Sequence, residues 1–264
     1  MIAAAVDKAA VARNFSEAAG SYDGWASAQA AIAGALVRRL PPGFDPARIA
    51  DLGCGTGRLS ELLLARYPSA SLTGLDLADG MIAHCRSHAI GGGRAAFRRG
   101  DAECPSSLPD GVDLIASSCA AQWFSDLPAT LRMWADALPP GGVLALATLV
   151  RGAFPELDAA HAAATGSPFP GLAFPEAAAL APVVRAAGLR LLADDPVAPQ
   201  ATYPDALGAL RSFRKIGARV PGRPLLSPHG MRRLLAALDH TRNAAGEVTL
   251  THRAHVLVAQ KECR

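Results

Sequence analysis

A short apolar segment that runs directly into a turn with three glycines constrains this chain more than any other feature. Residues 49–57 read IADLGCGTG. Because Gly53, Gly55 and Gly57 lack a Cβ, the backbone can bend sharply there and present N–H groups where a side chain would collide with a ligand. A simple tight turn between a strand and a helix is the alternative interpretation. Both interpretations predict a β-strand before the turn and a helix after it.

The residue that follows the turn separates two kinds of ligand-binding loop. A dinucleotide-binding loop needs a small residue at position 58, where helix and strand pack closely, and this chain has Arg58. Residues 51–57 (DLGCGTG) instead closely resemble the first motif of the class I S-adenosylmethionine-dependent methyltransferases. The resemblance implies that this loop holds the amino-acid end of S-adenosylmethionine. We expect Asp51 to contact the amino group, directly or through water. A helix N-cap is the alternative role for Asp51.

Apolar segments alternate with helical segments from residue 49 to residue 149, which is the pattern of a parallel sheet covered by helices. The predicted strands are 48–52, 71–76, 95–99, 112–117 and 143–148. The predicted helices between them are 59–67, 80–88 and 127–137. We expect an α/β fold with a doubly wound, Rossmann-like, mostly parallel sheet of the class I methyltransferase type and helical cap additions. Ligands bind at the carboxyl ends of the strands in such sheets.

The rest of the chain adds segments to this sheet within a single predicted domain, 1–264. Residues 8–40 are predicted to be helical, as an amino-terminal cap that stops at residues 41–43 (PPG). Residues 152–174 are rich in proline and glycine and predict a loop-helix-loop lid. Together with 204–240 they are the expected substrate-cap insertions. The remaining predicted elements are helix 175–187, strand 189–194, helices 204–219 and 228–239, each with a proline in its first turn, and strand 247–260.

Acidic and apolar side chains fall near the ends of successive predicted strands. Asp76 ends the second strand, and a carboxylate there can accept both hydrogen bonds from a ribose diol. The methyltransferase resemblance implies that Met81 packs on adenine and that Asp101 with Ala102 contacts the adenine amino group. Turn formation is the alternative role for Asp76 and Asp101. The candidate cofactor-binding residues are Asp51, Gly53, Gly55, Gly57, Asp76, Leu77, Met81, Asp101 and Ala102, with Ser117 and Cys119 under the sulfonium.

Composition excludes several classes of protein. Hydrophobic residues make up 50% of the chain and charged residues 19%, which excludes a disordered chain, and no apolar stretch is long enough to span a bilayer. The amino terminus lacks the basic region of a signal peptide, and the five cysteines include no C-x-x-C pair. We therefore expect a cytoplasmic protein with reduced thiols. His84 and His88 share a predicted helix face without a suitable third ligand, so no metal site is expected.

Positive charge is concentrated in one segment. Residues 206–238 contain seven Arg and Lys residues and no Asp or Glu, so the segment carries +7 and leaves −4 for the rest of a chain with net charge +3. Such a local field favours an acidic partner or substrate. Phe213 is the single aromatic residue of this segment, which argues against stacking on nucleic acid bases. A solvated helix face is the alternative interpretation.

The amino-terminal segment resembles one particular family of methyltransferases. Residues 14–29 (NFSEAAGSYDGWASAQ) are similar to the signature F-x-x-A-A-x-x-Y-D-x-x-A-x-x-Q of the malonyl-[acyl-carrier protein] O-methyltransferases of biotin synthesis. Further similarities occur at residues 119–123 (CAAQW), 210–219 (LRSFRKIGAR) and 250–251 (LT). The resemblance spans nearly the whole chain, and it departs from the family at 152–174 and at 221–224 (PGRP).

The family resemblance implies transfer of a methyl group from S-adenosylmethionine to the free carboxylate of malonyl-[acyl-carrier protein] or malonyl-CoA. The products are S-adenosylhomocysteine and the methyl ester that starts pimeloyl and biotin synthesis. A carboxylate is ionised at neutral pH, so no general base is needed. We expect Tyr22 to close over the methyl group and donate a hydrogen bond to the acceptor. Arg211 is expected to hold the malonyl carboxylate, with Lys215 one turn further along the same helix face.

An acidic acyl carrier protein is accordingly the expected partner, and neither nucleic acid nor a membrane is expected. Two other functions stay open from the sequence. The chain could methylate another small carboxylic acid or a polyketide-type metabolite, or it could be a regulatory protein that binds the cofactor without turnover. For Tyr22, packing of the cap as an interfacial tyrosine is the alternative role.

Overall fold

The computed structural model describes residues 6–219 and 226–262. Residues 221–224, Arg223 among them, and Cys263 lie outside the described residues. In chain order the strands are β1 (Arg48–Leu52), β2 (Ser71–Asp76), β3 (Ala95–Arg99), β4 (Leu114–Ser118), β5 (Val143–Leu149), β6 (Leu189–Val197), β7 (Gln200–Tyr203), β8 (Val248–Thr251) and β9 (Ala254–Lys261). Seven of them form one sheet in the order β3-β2-β1-β4-β5-β9-β6, and β7 pairs with β8 separately.

The main sheet is parallel through its first five strands. Strands β1 to β5 run in the same direction, and β9 lies antiparallel between β5 and β6. All seven residues of β5 are buried, because helices cover both faces of a parallel sheet. After its buried first residue, the edge strand β6 alternates between exposed and half-buried residues. The predicted doubly wound, mostly parallel sheet is confirmed, and the carboxyl ends of β1 to β4 meet at one edge.

Helices pack on both faces of this sheet. In chain order they are α1 (Lys8–Ala18), α2 (Ser27–Arg38), α3 (Arg58–Arg66), α4 (Asp79–Ser87), α5 (Leu127–Ala137), α6 (Pro155–Thr165), α7 (Ala177–Ala186), α8 (Ala206–Lys215) and α9 (Pro228–Asp239). Ile32 of α2, Leu63 of α3 and Ile82 of α4 are buried in one apolar core. Trp134 of α5 and Val184 of α7 are buried in a second core. The predicted boundaries of β1 to β5 and α3 to α5 agree with the structure within two residues.

The amino-terminal cap, predicted to be helical over residues 8–40, consists of two helices, α1 and α2. Residues 19–26 form a turn that separates α1 from α2. Gly20 and Gly24 lie in this turn, where they avoid the entropic cost of glycine inside a helix. The turn allows α1 to pack against α4 and α2 to pack against α3. As a consequence, Tyr22 lies on a loop between two helices.

The carboxyl-terminal part corrects three further predictions. The predicted strand 247–260 is in fact two strands, because β8 pairs with β7 while β9 enters the main sheet. Strand β7 has no counterpart in the prediction, since its four residues are too few for a clear alternating pattern. Helix α8 begins at Ala206 with Asp205 as its N-cap, so Pro204 precedes the helix. Pro228 does occupy the first turn of α9, as predicted.

Residues 152–174 contain α6 between two irregular segments, and α6 packs against α9 and β8. Glu156 of α6 accepts hydrogen bonds from the N–H and the hydroxyl of Thr251 at 2.9 and 2.5 Å. The ring of Phe154 lies edge-on to the ring of Phe213, with centroids 5.0 Å apart. These contacts join residues 152–174 to β8 and α8. Within the described ranges, no helix has the length and apolar character needed to cross a membrane.

Candidate functional site

A cavity of about 600 Å³ lies at the carboxyl ends of the parallel strands, under α1 and the loop that follows it. This volume is in the range of small-molecule sites. The candidate residues that line this first cavity are Tyr22, Gly53, Gly55, Asp76, Leu77, Met81, Asp101, Ala102 and Cys119. The candidates that do not line it are Asp51, Gly57, Ser117, Arg211 and Lys215.

The glycine loop after β1 adopts a conformation that other residues rarely take. Gly53, Gly55 and Gly57 have φ angles of +78°, +55° and +90°, a region that favours glycine. The N–H of Gly53 donates to the carbonyl of Leu75 at 2.8 Å, which ties the loop to the end of β2. A Cβ on Gly53 would lie 2.3 Å from the Cβ of Ala120. The loop and the segment after β4 therefore approach as closely as a glycine allows.

Asp76 lies at the end of β2, with its carboxylate between two backbone groups. Its Oδ2 accepts a hydrogen bond from the N–H of Gly55 at 2.9 Å, and its Oδ1 accepts one from the N–H of Ala78 at 2.8 Å. Burial raises the pKa of Asp76, and these backbone N–H groups oppose the rise. Each carboxylate oxygen has a second lone pair, so Asp76 can still accept two donors from the cavity.

Asp51 and Ser117 support the loop from within the protein interior, where both are fully buried. The hydroxyl of Ser60 donates to Asp51 Oδ2 at 2.6 Å, and the hydroxyl of Ser117 donates to the carbonyl of Leu52 at 2.7 Å. Burial raises the pKa of Asp51 to about 7. Asp51 Oδ1 is buried without a hydrogen-bond partner. The contact between Asp51 and a cofactor amino group stays a prediction, and this oxygen is the atom that it would satisfy.

An ion cluster from α1 closes the side of the cavity that lies beyond β3. Lys8 Nζ lies 2.6 Å from Asp101 Oδ2 and 2.5 Å from Glu103 Oε2. The side chain of Lys8 is 28% exposed and that of Glu103 only 9%, so the cluster is partly shielded from solvent. Burial acts to lower the pKa of Lys8, but the hydrogen bonds and charges of the two carboxylates outweigh it and leave this pKa raised.

Helix α1 is packed between two glycines that permit close backbone contact. On one side, a Cβ on Gly80 of α4 would lie 2.4 Å from the carbonyl oxygen of Ser16, and the N–H of Gly80 donates to the Ser16 hydroxyl at 3.1 Å. On the other side, a Cβ on Gly217, after α8, would lie 2.8 Å from the carbonyl oxygen of Asn14. Helix α1 therefore separates the first cavity from residues 211–219.

Aromatic side chains cover the first cavity. Phe15 lies edge-on to Trp123, with ring centroids 5.5 Å apart, and its ring centroid is 6.5 Å from that of Tyr22. All three line the cavity. Burial raises the pKa of Tyr22, and the negative charge of the Asp76 carboxylate acts in the same direction. The phenol of Tyr22 is therefore protonated at neutral pH and can donate a hydrogen bond into the cavity.

The segment after β4 has an unusual backbone conformation that a hydrogen-bond network holds. Cys119 has a φ angle of +57°, which is uncommon for a residue other than glycine. Gln122 Nε2 donates to the carbonyl of Cys119 at 2.7 Å, and the hydroxyl of Thr148 donates to Gln122 Oε1 at 3.2 Å. Burial raises the pKa of Cys119 to about 12, so the thiol stays protonated beside the cavity.

A second cavity, of about 340 Å³, lies on the other side of α1. Arg211 and Lys215 line it from α8, and both are exposed. The other residues that line it are Asn14, Glu17, Ala18, Ser21, Arg214 and Arg219. Arg211 and Lys215 thus lie in one site, as their spacing on a helix face predicts, but this site is separate from the cavity that contains Tyr22. Their role in holding the acceptor stays a prediction.

The sequence interpretation did not assign four residues that line the first cavity: Thr56, Asp23, Phe15 and Lys8. The hydroxyl of Thr56 donates to Asp23 Oδ1 at 2.6 Å, which joins the α1–α2 loop to the glycine loop. Asp23 and Phe15 both belong to the amino-terminal signature around Tyr22, and this signature could have indicated that they line the site. Lys8 belongs to no motif. Its contact with Asp101 could not be predicted from the sequence, because the two residues lie far apart along the chain.

Within residues 6–219 and 226–262, no group of three or more His, Cys, Asp or Glu side chains could hold a metal ion.

The comparisons with known proteins agree with this geometry. Residues 49–142 match the family model described as a methyltransferase domain. The crystal structure of the YcgJ protein of Bacillus subtilis has a similar fold, with a TM-score of 0.60 and 20% identity over 88% of this chain and 99% of that chain. The fold and the glycine loop with Asp76 define a methyltransferase of class I.

Two relatives narrow this class to one family. The malonyl-[acyl-carrier protein] O-methyltransferase of Methylococcus capsulatus is 33% identical over 97% of this chain and 94% of the relative. The biotin biosynthesis bifunctional protein BioCD of Bordetella avium is 36% identical over 87% of this chain and 48% of that longer protein. The chain belongs to the malonyl-[acyl-carrier protein] O-methyltransferase family.

Proposed function

We propose that this chain transfers a methyl group from S-adenosylmethionine to the free carboxylate of malonyl-[acyl-carrier protein], as a step in biotin synthesis. One observation carries the proposal. The glycine loop and Asp76, which suit the cofactor, line the same cavity as the protonated phenol of Tyr22, which suits an anionic acceptor. The family to which the chain belongs supports the same acceptor.

The first cavity fits the cofactor at both of its ends. Asp51 does not line the cavity, but its Oδ1 is buried and unpaired at the end of β1 and is the proposed partner of the ammonium group. Asp76 has two free lone pairs for the ribose diol, and buried Met81 offers an apolar surface to adenine. Asp101, shared with Lys8, is the proposed contact of the adenine amino group. When bound, S-adenosylmethionine supplies a methyl group on a positively charged sulfur.

The reaction requires alignment more than proton transfer. A carboxylate is already ionised at neutral pH, so the side chains around the acceptor have to orient it and exclude water. Tyr22 donates a hydrogen bond to the acceptor in this proposal, and correct positioning alone can contribute several kcal/mol. Charge is neutralised in the transition state, and the aromatic cover of Phe15 and Trp123 keeps the surroundings dry.

The carrier-bound acceptor approaches from the side of the second cavity in this proposal. The described cations that line this cavity are Arg211, Arg214, Lys215 and Arg219, and Glu17 pairs with Arg219 at 2.8 Å. A surface with this excess of positive charge attracts an acidic carrier protein and accelerates its association. Arg211, predicted from the sequence to hold the malonyl carboxylate, lines this second cavity and lies apart from Tyr22. Its guanidinium is therefore proposed to bind a carboxylate of the carrier protein through two parallel hydrogen bonds.

The proposal is tested by incubating the purified protein with S-adenosylmethionine and malonyl-[acyl-carrier protein] and measuring the intact mass of the carrier. We expect a mass gain of one methyl group on the malonyl carrier and none on the acetyl carrier, which lacks the free carboxylate. Transfer to free malonate or to other small dicarboxylic acids, without transfer to the carrier, would replace the carrier with a small acid as the acceptor. Cofactor binding without any transfer would contradict the proposed reaction.

A further inference from the structure

Two buried side-chain oxygens in the described part of the chain have no hydrogen-bond partner, Gln29 Oε1 and Asp51 Oδ1. Buried polar atoms are almost always paired in folded proteins, so each exception needs a reason. For Asp51, the proposed contact with the ammonium group of the cofactor supplies one. Gln29 belongs to the amino-terminal signature but has no role so far, although its side chain lines the first cavity.

The position of Gln29 in the fold indicates which end of the cofactor it meets. Gln29 lies in the first turn of α2, and α2 packs against α3, the helix that begins at the glycine loop. Helix α1 packs instead against α4, and its Lys8 reaches Asp101 at the adenine end. Gln29 therefore faces the cavity from the side of the glycine loop, where the amino-acid end of the cofactor belongs.

No side chain of α2 that lines the cavity can donate a hydrogen bond to the oxygen of Gln29. The other residues of α2 that line the cavity are Ala30 and Ala33, whose side chains are apolar. A carbonyl oxygen accepts hydrogen bonds and cannot donate them. Among the groups that the cofactor brings to this end of the cavity, the α-ammonium of S-adenosylmethionine is the donor that suits this oxygen. A malonyl carboxylate offers only acceptors, so it cannot satisfy this atom.

We infer that Gln29 is a cofactor-binding residue whose side-chain carbonyl accepts a hydrogen bond from the α-ammonium group of S-adenosylmethionine. The inference rests on the proposed function, because it requires that the first cavity binds this cofactor. It gives the ammonium group two proposed acceptors, Asp51 from β1 and Gln29 from α2. The first turn of α2 thereby becomes part of the cofactor site.

Calorimetric titration with S-adenosylhomocysteine, which keeps the ammonium group and needs no turnover, tests the inference. Gln29→Met preserves the length of the side chain and removes its acceptor, so we expect the dissociation constant to rise about tenfold, the effect of one hydrogen bond to a charged group. Gln29→Glu keeps the acceptor and is expected to bind at least as tightly as the parent protein. Gln260→Met, on β9 and hydrogen-bonded to Gly141, is the matched control and should leave binding unchanged.

An analogue of S-adenosylhomocysteine without the amino group decides which atom Gln29 meets. The parent protein and Gln29→Met should bind this analogue equally, because the partner of Gln29 is missing in both cases. An equal loss of affinity for both ligands in Gln29→Met would overturn the inference. A loss that disappears only with an analogue lacking the carboxylate would also overturn it, since Gln29 would then act as a donor.

Thermal unfolding without ligand separates binding from a structural role. Gln29→Met removes an unpaired buried atom, so the ligand-free variant should unfold at the same temperature as the parent protein or higher. S-adenosylhomocysteine should then stabilise it less than it stabilises the parent. Absence of S-adenosylhomocysteine binding by the parent protein would overturn the proposed function and this inference together. Equal binding by the parent and Gln29→Met would overturn the inference alone.

Discussion

The two cavities on either side of α1 are built from different groups. The first is made largely of backbone and buried side chains: a glycine loop with positive φ angles, and Asp76 held by two backbone N–H groups. The second is lined by long, exposed cations such as Arg211 and Lys215. The fold itself fixes the first cavity, whereas side chains with many rotamers define the second. We therefore expect substitutions in the first to affect cofactor binding and substitutions in the second to affect the acceptor.

The largest effect is expected for Gly53→Ala. The φ angle of +78° at this position costs a residue with a Cβ about 1–2 kcal/mol, and the new Cβ would lie 2.3 Å from that of Ala120. The loop has to move away from the segment after β4, so we expect the dissociation constant of S-adenosylhomocysteine to rise roughly a hundredfold. Calorimetry measures the affinity, and denaturant unfolding measures the stability.

Gly43→Ala is the matched control for this substitution. Gly43 has a similar φ angle of +76°, but a Cβ added there would meet no neighbouring atom within 4 Å, and the residue is remote from both cavities. It should lose about 1 kcal/mol of stability and bind S-adenosylhomocysteine normally. If Gly53→Ala also binds normally, the close approach of the loop to the segment after β4 is not what fixes the first cavity.

The next effect is a pH dependence from Asp51, which lies buried behind the glycine loop of the first cavity. Burial raises the pKa of Asp51 to about 7, above its usual value of about 4, so the folded ligand-free protein binds a proton there that the unfolded chain has lost. The free energy of unfolding should therefore fall as the pH rises from about 4 to about 7. In Asp51→Asn this part of the slope should be absent.

Cofactor binding should show the opposite trend with pH. An ammonium group beside Asp51 favours the ionised carboxylate, so binding below pH 7 requires release of the proton. The association constant of S-adenosylhomocysteine should rise by up to about tenfold per pH unit below 7 and level off above it. Asp51→Asn should bind more weakly and lose this slope. A slope that persists in the variant would assign the titration to another group, such as Asp76, whose pKa burial also raises.

The same difference between the cavities explains what the sequence could predict. Gly53, Gly55 and Asp76 lie at the ends of successive parallel strands, and strand order brings such ends together whatever the side chains are. Arg211 and Lys215 share a helix face, which their spacing indicates, but that spacing cannot show which neighbour the face meets. The packing of α1 against α4 on one side and against the segment after α8 on the other decides it. These contacts depend on Gly80 and Gly217, which no local pattern connects.

Lys8 and the turn at residues 19–26 show the same limit of sequence interpretation. The apolar residues of 8–40 are compatible with continuous helix, and only the packing of α1 on α4 and of α2 on α3 requires the turn. The ion cluster of Lys8 with Asp101 and Glu103 joins residues that are distant along the chain. Local patterns therefore predict the elements, and the cap geometry follows from contacts between distant segments.

A smaller effect, confined to the acceptor, is expected for Arg211→Ala. The KM for malonyl-[acyl-carrier protein] should rise about tenfold, the effect of one charged hydrogen-bonding group, while the affinity for S-adenosylhomocysteine stays the same. Added salt should raise the KM for malonyl-[acyl-carrier protein] more in the parent protein than in the variant, because salt screens exposed charges. Arg232→Ala, on α9 and also exposed but outside the second cavity, is the control. An unchanged KM in Arg211→Ala would remove Arg211 from the acceptor site.

The smallest effect is expected for Lys8→Met, which tests whether α1 belongs to the first cavity as a cover. Lys8 joins α1 to Asp101 and Glu103 while its side chain is 28% exposed, and such partly exposed pairs contribute at most about 1 kcal/mol. The dissociation constant of S-adenosylhomocysteine should therefore rise only about threefold. Arg99→Met breaks the exposed pair between Arg99 and Asp79 and should leave binding unchanged. An equal rise of the dissociation constant in the two variants would mean that loss of any nearby positive charge weakens cofactor binding. Helix α1 would then separate the two cavities without covering the first one.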